Sequence, residues 1–381
     1  MKGSLLTAAS SALIGASLVA AAHHNHGHAH LALHKRAGAP SPSPTTPNAT
    51  YYGEAELVHA VVQPVEVKAP QPPTPKPEEH EASPPPPKEI KESHVPVQSD
   101  SASELAPPAS SPSAPVSEGK IGGNGDQWCM TYSPYTDGGE CKGGDEVSKD
   151  IANIAQKGFT SVRIYSTDCG GLEKVGSACE KHGLKIVAGV FIDKTGLGPA
   201  REQIQDLAQW KKWELVELIV IGNEALFNGF CTASQLADFI AEAKQTFKQA
   251  GYNGPCTTTE ASVEILATNK ATLCPVLDVV AANLHPFFNG AISASEAGDF
   301  VAKQMKGLEE CCPGKETYNL ETGWPSAGAD NGVAIAGKSE QEEAIAGIRK
   351  AVGNKVAFFS FVDDLWKDDK REQSFGCGHL F

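Results

Sequence analysis

Two glutamates stand at the ends of apolar runs. Leu218-Ile219-Val220-Ile221-Gly222-Asn223-Glu224 passes from aliphatic residues to an amide and an acid, and Tyr318-Asn319-Leu320-Glu321-Thr322-Gly323-Trp324-Pro325 ends in the same manner. A short apolar run closed by an acid is a buried strand delivering a carboxyl group to its exit. A pair of such carboxyls can serve glycosidic cleavage: one protonates the leaving oxygen, and the other attacks the anomeric carbon or activates water. A separation of about 5 to 5.5 Å goes with retention of configuration and about 6.5 to 9.5 Å with inversion, and spacing along the chain leaves that choice open.

The acids need a scaffold that brings two distant strand ends together. Between residues 121 and 381, β-branched runs alternate with stretches of helical period. Strand-like runs lie at Gln127–Tyr132, Ser161–Tyr165, Leu184–Phe191 and Leu218–Gly222, and others start near Cys256, Leu277, Thr317 and Lys355. Helical stretches separate them. One covers Ala233 to Ala250 with Gly251 at C′, and another opens at Ser339 with Glu342 three residues on, a capping-box pattern. Eight strand–helix units in a chain of this size predict an α/β protein, a (β/α)8 TIM barrel, with an open doubly wound sheet as the alternative. A barrel puts its chemistry at the carboxyl ends of its strands, which is where Glu224 and Glu321 fall.

With both motifs on such strands, Val220-Ile221-Gly222-Asn223-Glu224-Ala225-Leu226-Phe227-Asn228-Gly229 and Leu320-Glu321-Thr322-Gly323-Trp324-Pro325-Ser326 resemble the two signatures of glycoside hydrolase family 17. The likeness is to its fungal cell-wall β-glucosidase and glucan endo-1,3-β-glucosidase branch, and it covers residues 121 to 381. It implies a (β/α)8 barrel and a retaining reaction on β-1,3-glucan, by hydrolysis or transglucosylation, with Glu224 as proton donor and Glu321 as nucleophile. Arg163-Ile164-Tyr165 resembles the family's Arg-x-Tyr, which implies a phenol near the nucleophile, and Asn223 is expected to donate to the sugar 2-hydroxyl. His285 departs from the tyrosine usual in plant members.

Further residues fit a sugar cleft. Trp324 offers an apolar platform, while His285 and Phe287 on the sixth strand and Asp364, Trp366 and Lys367 on the eighth supply polar groups and aromatic faces. Bland roles compete with these. Arg163 can be a buried structural cation, Trp366 and Phe287 barrel-top core, and His285 a loop cap. Asp193, Glu260 and Glu264 also lie near strand ends without a motif and are read as cleft polarity or surface charge.

The preceding 120 residues differ in kind. Residues 1–22 have a basic start, an apolar run and small residues at the end, the pattern of a cleaved signal peptide. Residues 23–36 carry a histidine run that can bind Cu²⁺ or Zn²⁺, but end in Lys35-Arg36, a dibasic pair that suggests removal of a pro-segment. Residues 37–120 are rich in Pro, Ser, Ala, Glu and Lys and lack apolar periodicity, so a disordered spacer is expected. Asn48-Ala49-Thr50 within it is an N-glycosylation sequon.

All ten cysteines lie between Cys129 and Cys377, without CxxC pairs, and are expected to form disulfides, with adjacent Cys311 and Cys312 taking different partners. The net charge of −14 argues against nucleic acid and anionic lipid as partners. The absence of a span or anchor signal predicts a soluble, secreted product, and the resemblance to the fungal cell-wall branch implies a place in the wall. The predicted partners are β-glucan and the cell-wall matrix, with no cofactor or metal, and the protein is expected to be a monomer. A second function class stays open: a non-catalytic, wall-associated carbohydrate-binding or structural glycoprotein on a barrel scaffold, against which the intact carboxylate pair argues.

Overall fold

The computed structural model describes residues 121–123 and 125–381. The readings of a signal peptide, a histidine run, a spacer and a glycan at Asn48 lie outside the described residues. Eight parallel strands pair in chain order and close on themselves: β1 (Cys129–Thr131), β2 (Ser161–Arg163), β3 (Lys185–Val190), β4 (Val216–Asn223), β5 (Cys256–Glu260), β6 (Val280–Asn283), β7 (Thr317–Thr322) and β8 (Val356–Phe358). Closure comes from β1 against β8, with Cys129 opposite Ala357. The eight expected runs thus form one (β/α)8 barrel, and the open-sheet alternative is excluded.

Alternation along the strands separates two apolar layers. Val187, Leu218, Val220, Ala281, Tyr318, Leu320 and Ala357 form one cluster, which fills the barrel interior. Ile186, Ala188, Ile219, Ile221, Val280, Ala282 and Phe358 belong to the larger cluster, which packs beneath the helices.

Seven α-helices follow the first seven strands: α1 (Gly144–Gln156), α2 (Gly171–His182), α3 (Leu197–Trp210), α4 (Ala233–Gln249), α5 (Val263–Leu273), α6 (Ala297–Cys311) and α7 (Lys338–Val352). The expectation of a helix after every strand fails at the eighth. Among the described residues, β8 is followed by 3-10 turns at Lys370–Glu372 and Gly378–Leu380. None of these helices is long and apolar enough to cross a membrane.

Helix α4 ends as expected, with Gly251 at φ 103° after Ala250. Its start carries a capping box: Thr232 accepts from the Gln235 amide, and the Gln235 side chain accepts from the Thr232 amide. The box expected at Ser339 and Glu342 does not form. Helix α7 begins at Lys338 after Gly337, whose amide donates to the Pro325 carbonyl at 3.2 Å, so a tertiary bond to the β7 loop sets the start.

The cysteine expectation holds only in part. Cys141–Cys169 ties the β1–α1 loop to the β2–α2 loop, and Cys274–Cys312 joins the end of α5 to the end of α6. The other six are thiols, Cys311 among them, and all but Cys231 are buried core residues. Free cysteine packs as a small hydrophobe, so an even count in a secreted-looking chain overstates the bridges.

Candidate active site

Strict alternation would turn adjacent residues to opposite faces of the barrel wall. Leu320 fills the interior, so its neighbour Glu321 should face the helices. Pairing irregularities lie on both sides of β7, between Ala282 and Asn283 on β6 and between Asn319 and Thr322 against β8. They re-aim the Glu321 carboxylate into the mouth. Gly323 follows because β8 passes so close that a Cβ there would collide with the Phe359 carbonyl oxygen.

The end of β4 solves the same problem differently. Pairing with β5 shifts between Val220 and Asn223, Gly222 takes φ 86°, and Glu224 itself lies in the left-handed region at φ 54°. That conformation is rare for a residue with a Cβ. It allows consecutive side chains, Asn223 and Glu224, to reach one network.

Arg163, at the end of β2 and 1% exposed, is the hub of that network. Its NH1 donates to Glu321 Oε1 at 3.0 Å and to the Leu320 carbonyl at 2.5 Å, and its NH2 donates to Asn223 Oδ1 at 2.7 Å. Asn283, at the end of β6, bridges the two acids. Its Nδ2 donates to Glu224 Oε1 at 2.8 Å and Asn223 Oδ1 at 3.1 Å. Its Oδ1 accepts from Thr259 Oγ1 at 2.9 Å and from Arg163 at 3.5 Å. A guanidinium has donors only, which fixes that oxygen toward it. One buried chain of polar groups therefore runs from Glu224 through Asn283 and Arg163 to Glu321. Asn319 adds a stitch between β6 and β7, its Oδ1 accepting from the Leu284 amide at 2.9 Å and the Glu321 amide at 3.3 Å.

His285 lies on the other side of Glu321, with Nε2 3.4 Å from Oε2, and its ring stands edge-on to Phe288, Phe359 and Phe375. Tyr165 is half-buried, with the Arg163 guanidinium 4.6 Å from its ring centre. Burial, and then the Glu321 charge, push its phenol well above the usual tyrosine range. On the β8 loop, Lys367 sits 3.5 Å from Asp364 and 3.6 Å from Glu372, with the Phe359 ring beneath it at 4.3 Å. Burial pulls its ammonium down, but the charges of Asp364, Glu372 and Glu321 outweigh that and hold it above the ordinary value. Burial raises the Asp364 carboxyl against the pull of Lys367. Trp366 is half-buried, its ring 4.8 Å from that of Tyr135 and its Nε1 donating to Asp364 Oδ1 at 3.1 Å.

Two expected sugar contacts are corrected. Trp324 is 0% exposed, and its indole N–H donates to the Ile335 carbonyl at 2.8 Å, so it offers no platform. Phe287, 3% exposed, packs against it with ring centres 5.3 Å apart. Both are core, as apolar side chains on a loop that folds back over the barrel must be. Aromatic area is instead exposed at Phe227, 41%, on the β4 loop and Phe288, 42%, on the β6 loop.

Glu260 is also corrected from cleft or surface polarity. It is 0% exposed at the end of β5, where its oxygens accept the amides of Leu226 and Phe227, each at 3.0 Å. Burial pushes its carboxyl from an ordinary 4.5 up to about 8, against the pull of those amides and with the Glu224 charge adding to the rise. The folded chain then holds a proton between those values that the unfolded chain releases, so stability falls as pH rises through that window. In denaturant titrations at about pH 5, 6.5 and 8, Glu260→Gln is expected to flatten the decline. Equal pH slopes in both proteins would remove the claim.

A closed (β/α)8 barrel with a carboxylate pair networked across its carboxyl end has the architecture of a glycoside hydrolase domain. A model of the BtgE/BtgC glycoside hydrolase domain matches residues 129–381, and the chain belongs to that family. A protein named probable beta-glucosidase btgE from Aspergillus terreus is 51% identical over 273 residues, covering 71% of this chain and 49% of the relative. Its namesake from Neosartorya fischeri is 50% identical over 266 residues, covering 69% and 48%. The chain thus spans about half the length of the curated relatives it matches.

Among solved structures, a Rhizomucor miehei beta-1,3-glucanosyltransferase mutant in complex with laminaritriose aligns with a TM-score of 0.58 at 19% identity, covering 66% of this chain and 92% of that one. A Formosa endo-laminarinase aligns with a TM-score of 0.56 at 14% identity, covering 67% and 84%. At these identities the likeness speaks for the fold.

Proposed function

We propose that the domain is a retaining glycoside hydrolase of family 17 that cleaves β-1,3-glucan in the fungal cell wall. The observation that carries this reading is the pairing of Glu321 with Arg163 at 3.0 Å inside the network that also holds Glu224. A guanidinium is positive at every working pH, so it keeps a fixed counter-charge beside the carboxylate that must attack.

In the first step Glu224 gives its proton to the glycosidic oxygen as a Glu321 oxygen bonds to the anomeric carbon, and the aglycone leaves as an alcohol. In the second, Glu224 takes a proton from water or from a sugar hydroxyl. That oxygen bonds to the anomeric carbon, and the ester to Glu321 breaks. Both outcomes, hydrolysis and transglucosylation, share the glucosyl-enzyme. The relatives' name supports a β-linked glucose donor. The laminaritriose bound by the glucanosyltransferase of the same fold makes laminari-oligosaccharides the substrate to test. The spacer-like composition of residues 37–120 supports a place in the wall.

The test follows the anomer first formed from a laminari-oligosaccharide labelled at its reducing end. β product is expected initially by NMR, with product lengths separating endo from exo cleavage and longer products marking transfer. Initial α product would mean inversion and end the assignment of Glu321 as nucleophile. Glu224→Gln is expected to slow cleavage of the unmodified oligosaccharide by about 10² to 10⁴-fold.

A further inference from the structure

The left-handed backbone at Glu224 has to be held by something, because a residue with a Cβ persists in that conformation only where its surroundings over-determine it. The holding groups are the last two residues of β5. The Thr259 carbonyl accepts the Glu224 amide at 2.8 Å. One residue further, the Glu260 carboxyl takes the Leu226 amide on one oxygen and the Phe227 amide on the other. Beyond them the loop closes on itself, with the Asn228 amide donating to the Glu224 carbonyl at 3.0 Å and the Phe230 amide to the Ala225 carbonyl at 2.9 Å. Glu260 is 0% exposed and each of its oxygens already holds an amide, so it cannot touch a sugar.

We infer that Glu260 is a positioning residue for proton donation: by clamping the amides of Leu226 and Phe227 it fixes the turn that aims Glu224. This rests on the reading of Glu224 as the proton donor. The consequence is selective because the amides that Glu260 clamps belong to the turn beyond Glu224, while the Arg163–Asn283 network that joins the two acids stays in place. Glu321 is fixed on β7 by Arg163 and Asn319. Releasing the β4 loop therefore disturbs delivery of the proton and leaves the attacking carboxylate in place. Proton transfer needs a heavy-atom approach of about 2.6 to 3.2 Å, so a small drift of the donor is enough to slow it.

The experiment uses the full chain with Glu260→Ala and Glu260→Gln, and Glu224→Gln as the reference. Each is assayed on an unmodified laminari-oligosaccharide, whose leaving alcohol needs a proton, and on a dinitrophenyl β-laminarioside, whose leaving group does not. Glu260→Ala is expected to lower kcat/KM on the oligosaccharide by about 10²-fold, the cost of a misplacement near 1 Å. On the dinitrophenyl substrate kcat/KM, which reports formation of the glucosyl-enzyme, falls by less than about threefold, because general-acid help is not used there, whereas kcat falls further because Glu224 is also the base of the second step. Glu260→Gln keeps one acceptor oxygen but turns an NH₂ toward the other amide. Its loss is expected to be smaller, with the same split between substrates, and it decides the matter if the alanine variant does not fold.

Equal losses of kcat/KM on both substrates would make Glu260 a support of the fold and overturn the inference. If Glu224→Gln itself shows no split, the donor assignment of Glu224 fails. If Glu224→Gln shows the split and neither Glu260 variant does, the positioning role alone fails.

Discussion

Replacing Glu321 by alanine is expected to lower turnover of laminarin-type glucan by about 10⁴-fold or more, the scale seen when a covalent nucleophile is removed. That loss corresponds to about 5 kcal/mol of transition-state stabilisation. It comes from chemistry and not from binding, because the carboxylate forms a bond that exists only after the ground state. A loss of activity alone is weak proof, since the alanine also leaves the Arg163 guanidinium buried without its carboxylate. Azide separates the explanations. In Glu321→Ala the small anion can occupy the vacated α face and displace the activated aglycone directly, giving an α-glycosyl azide and restoring part of the rate. In Glu224→Ala the glucosyl-enzyme still forms, and azide attacks it from the β face to give the β-glycosyl azide. Rescue of Glu321→Ala as the β azide, or full activity of that variant on laminarin, would reverse or remove the assignment.

The strand ends that carry this chemistry were legible because burial on both faces of a parallel strand forces an apolar run, and a charged residue closing such a run has to sit at an exit. What lay beyond the sequence is the direction of side chains where regular pairing stops. Trp324 follows Glu321 by three residues and looks like a sugar platform. The loop after β7 turns it inward, where Gln341 also binds its carbonyl at 2.8 Å. Phe287 and Phe288 are adjacent and chemically alike, and the 3-10 turn at Pro286–Phe288 decides that the first is core and the second is half open.

Glu260 closes Cys256-Thr257-Thr258-Thr259, a β-branched run that reads as a strand but lacks the apolar stretch that marks the ends of β4 and β7. Its signal was of another kind. Three threonines and a glutamate buried together must find hydrogen-bond partners, and Thr259 and Glu260 find them in Asn283 and the β4 loop. Arg163 was ambiguous between a structural cation and part of the site, and the structure makes it both.

That double role sets the second large effect, on stability. Arg163→Met is expected to destabilise the domain by about 3 to 5 kcal/mol, because it leaves the buried Glu321 charge without its guanidinium. The hydrogen bonds Arg163 donates to Asn283, Leu320, Glu321 and Asn223 also go, including that to the Leu320 carbonyl, which no water can readily replace at 1% exposure. Arg163→Lys keeps the charge but not the fork. One ammonium cannot span Asn223 on one side and Glu321 on the other, so only part of the loss is recovered. The control is Arg201, which grips Glu242 through two bonds of 2.9 and 3.0 Å at the surface, with side chains 50% and 46% exposed. Arg201→Met is expected to cost less than about 1 kcal/mol, since water solvates both charges when the pair is lost. Comparing the two by denaturant unfolding separates burial from geometry, because both arginines hold a carboxylate at similar distances. Equal costs would mean that water reaches the site well enough to solvate Glu321. In that case the fixed counter-charge argued for its reactivity would be lost along with the stability difference.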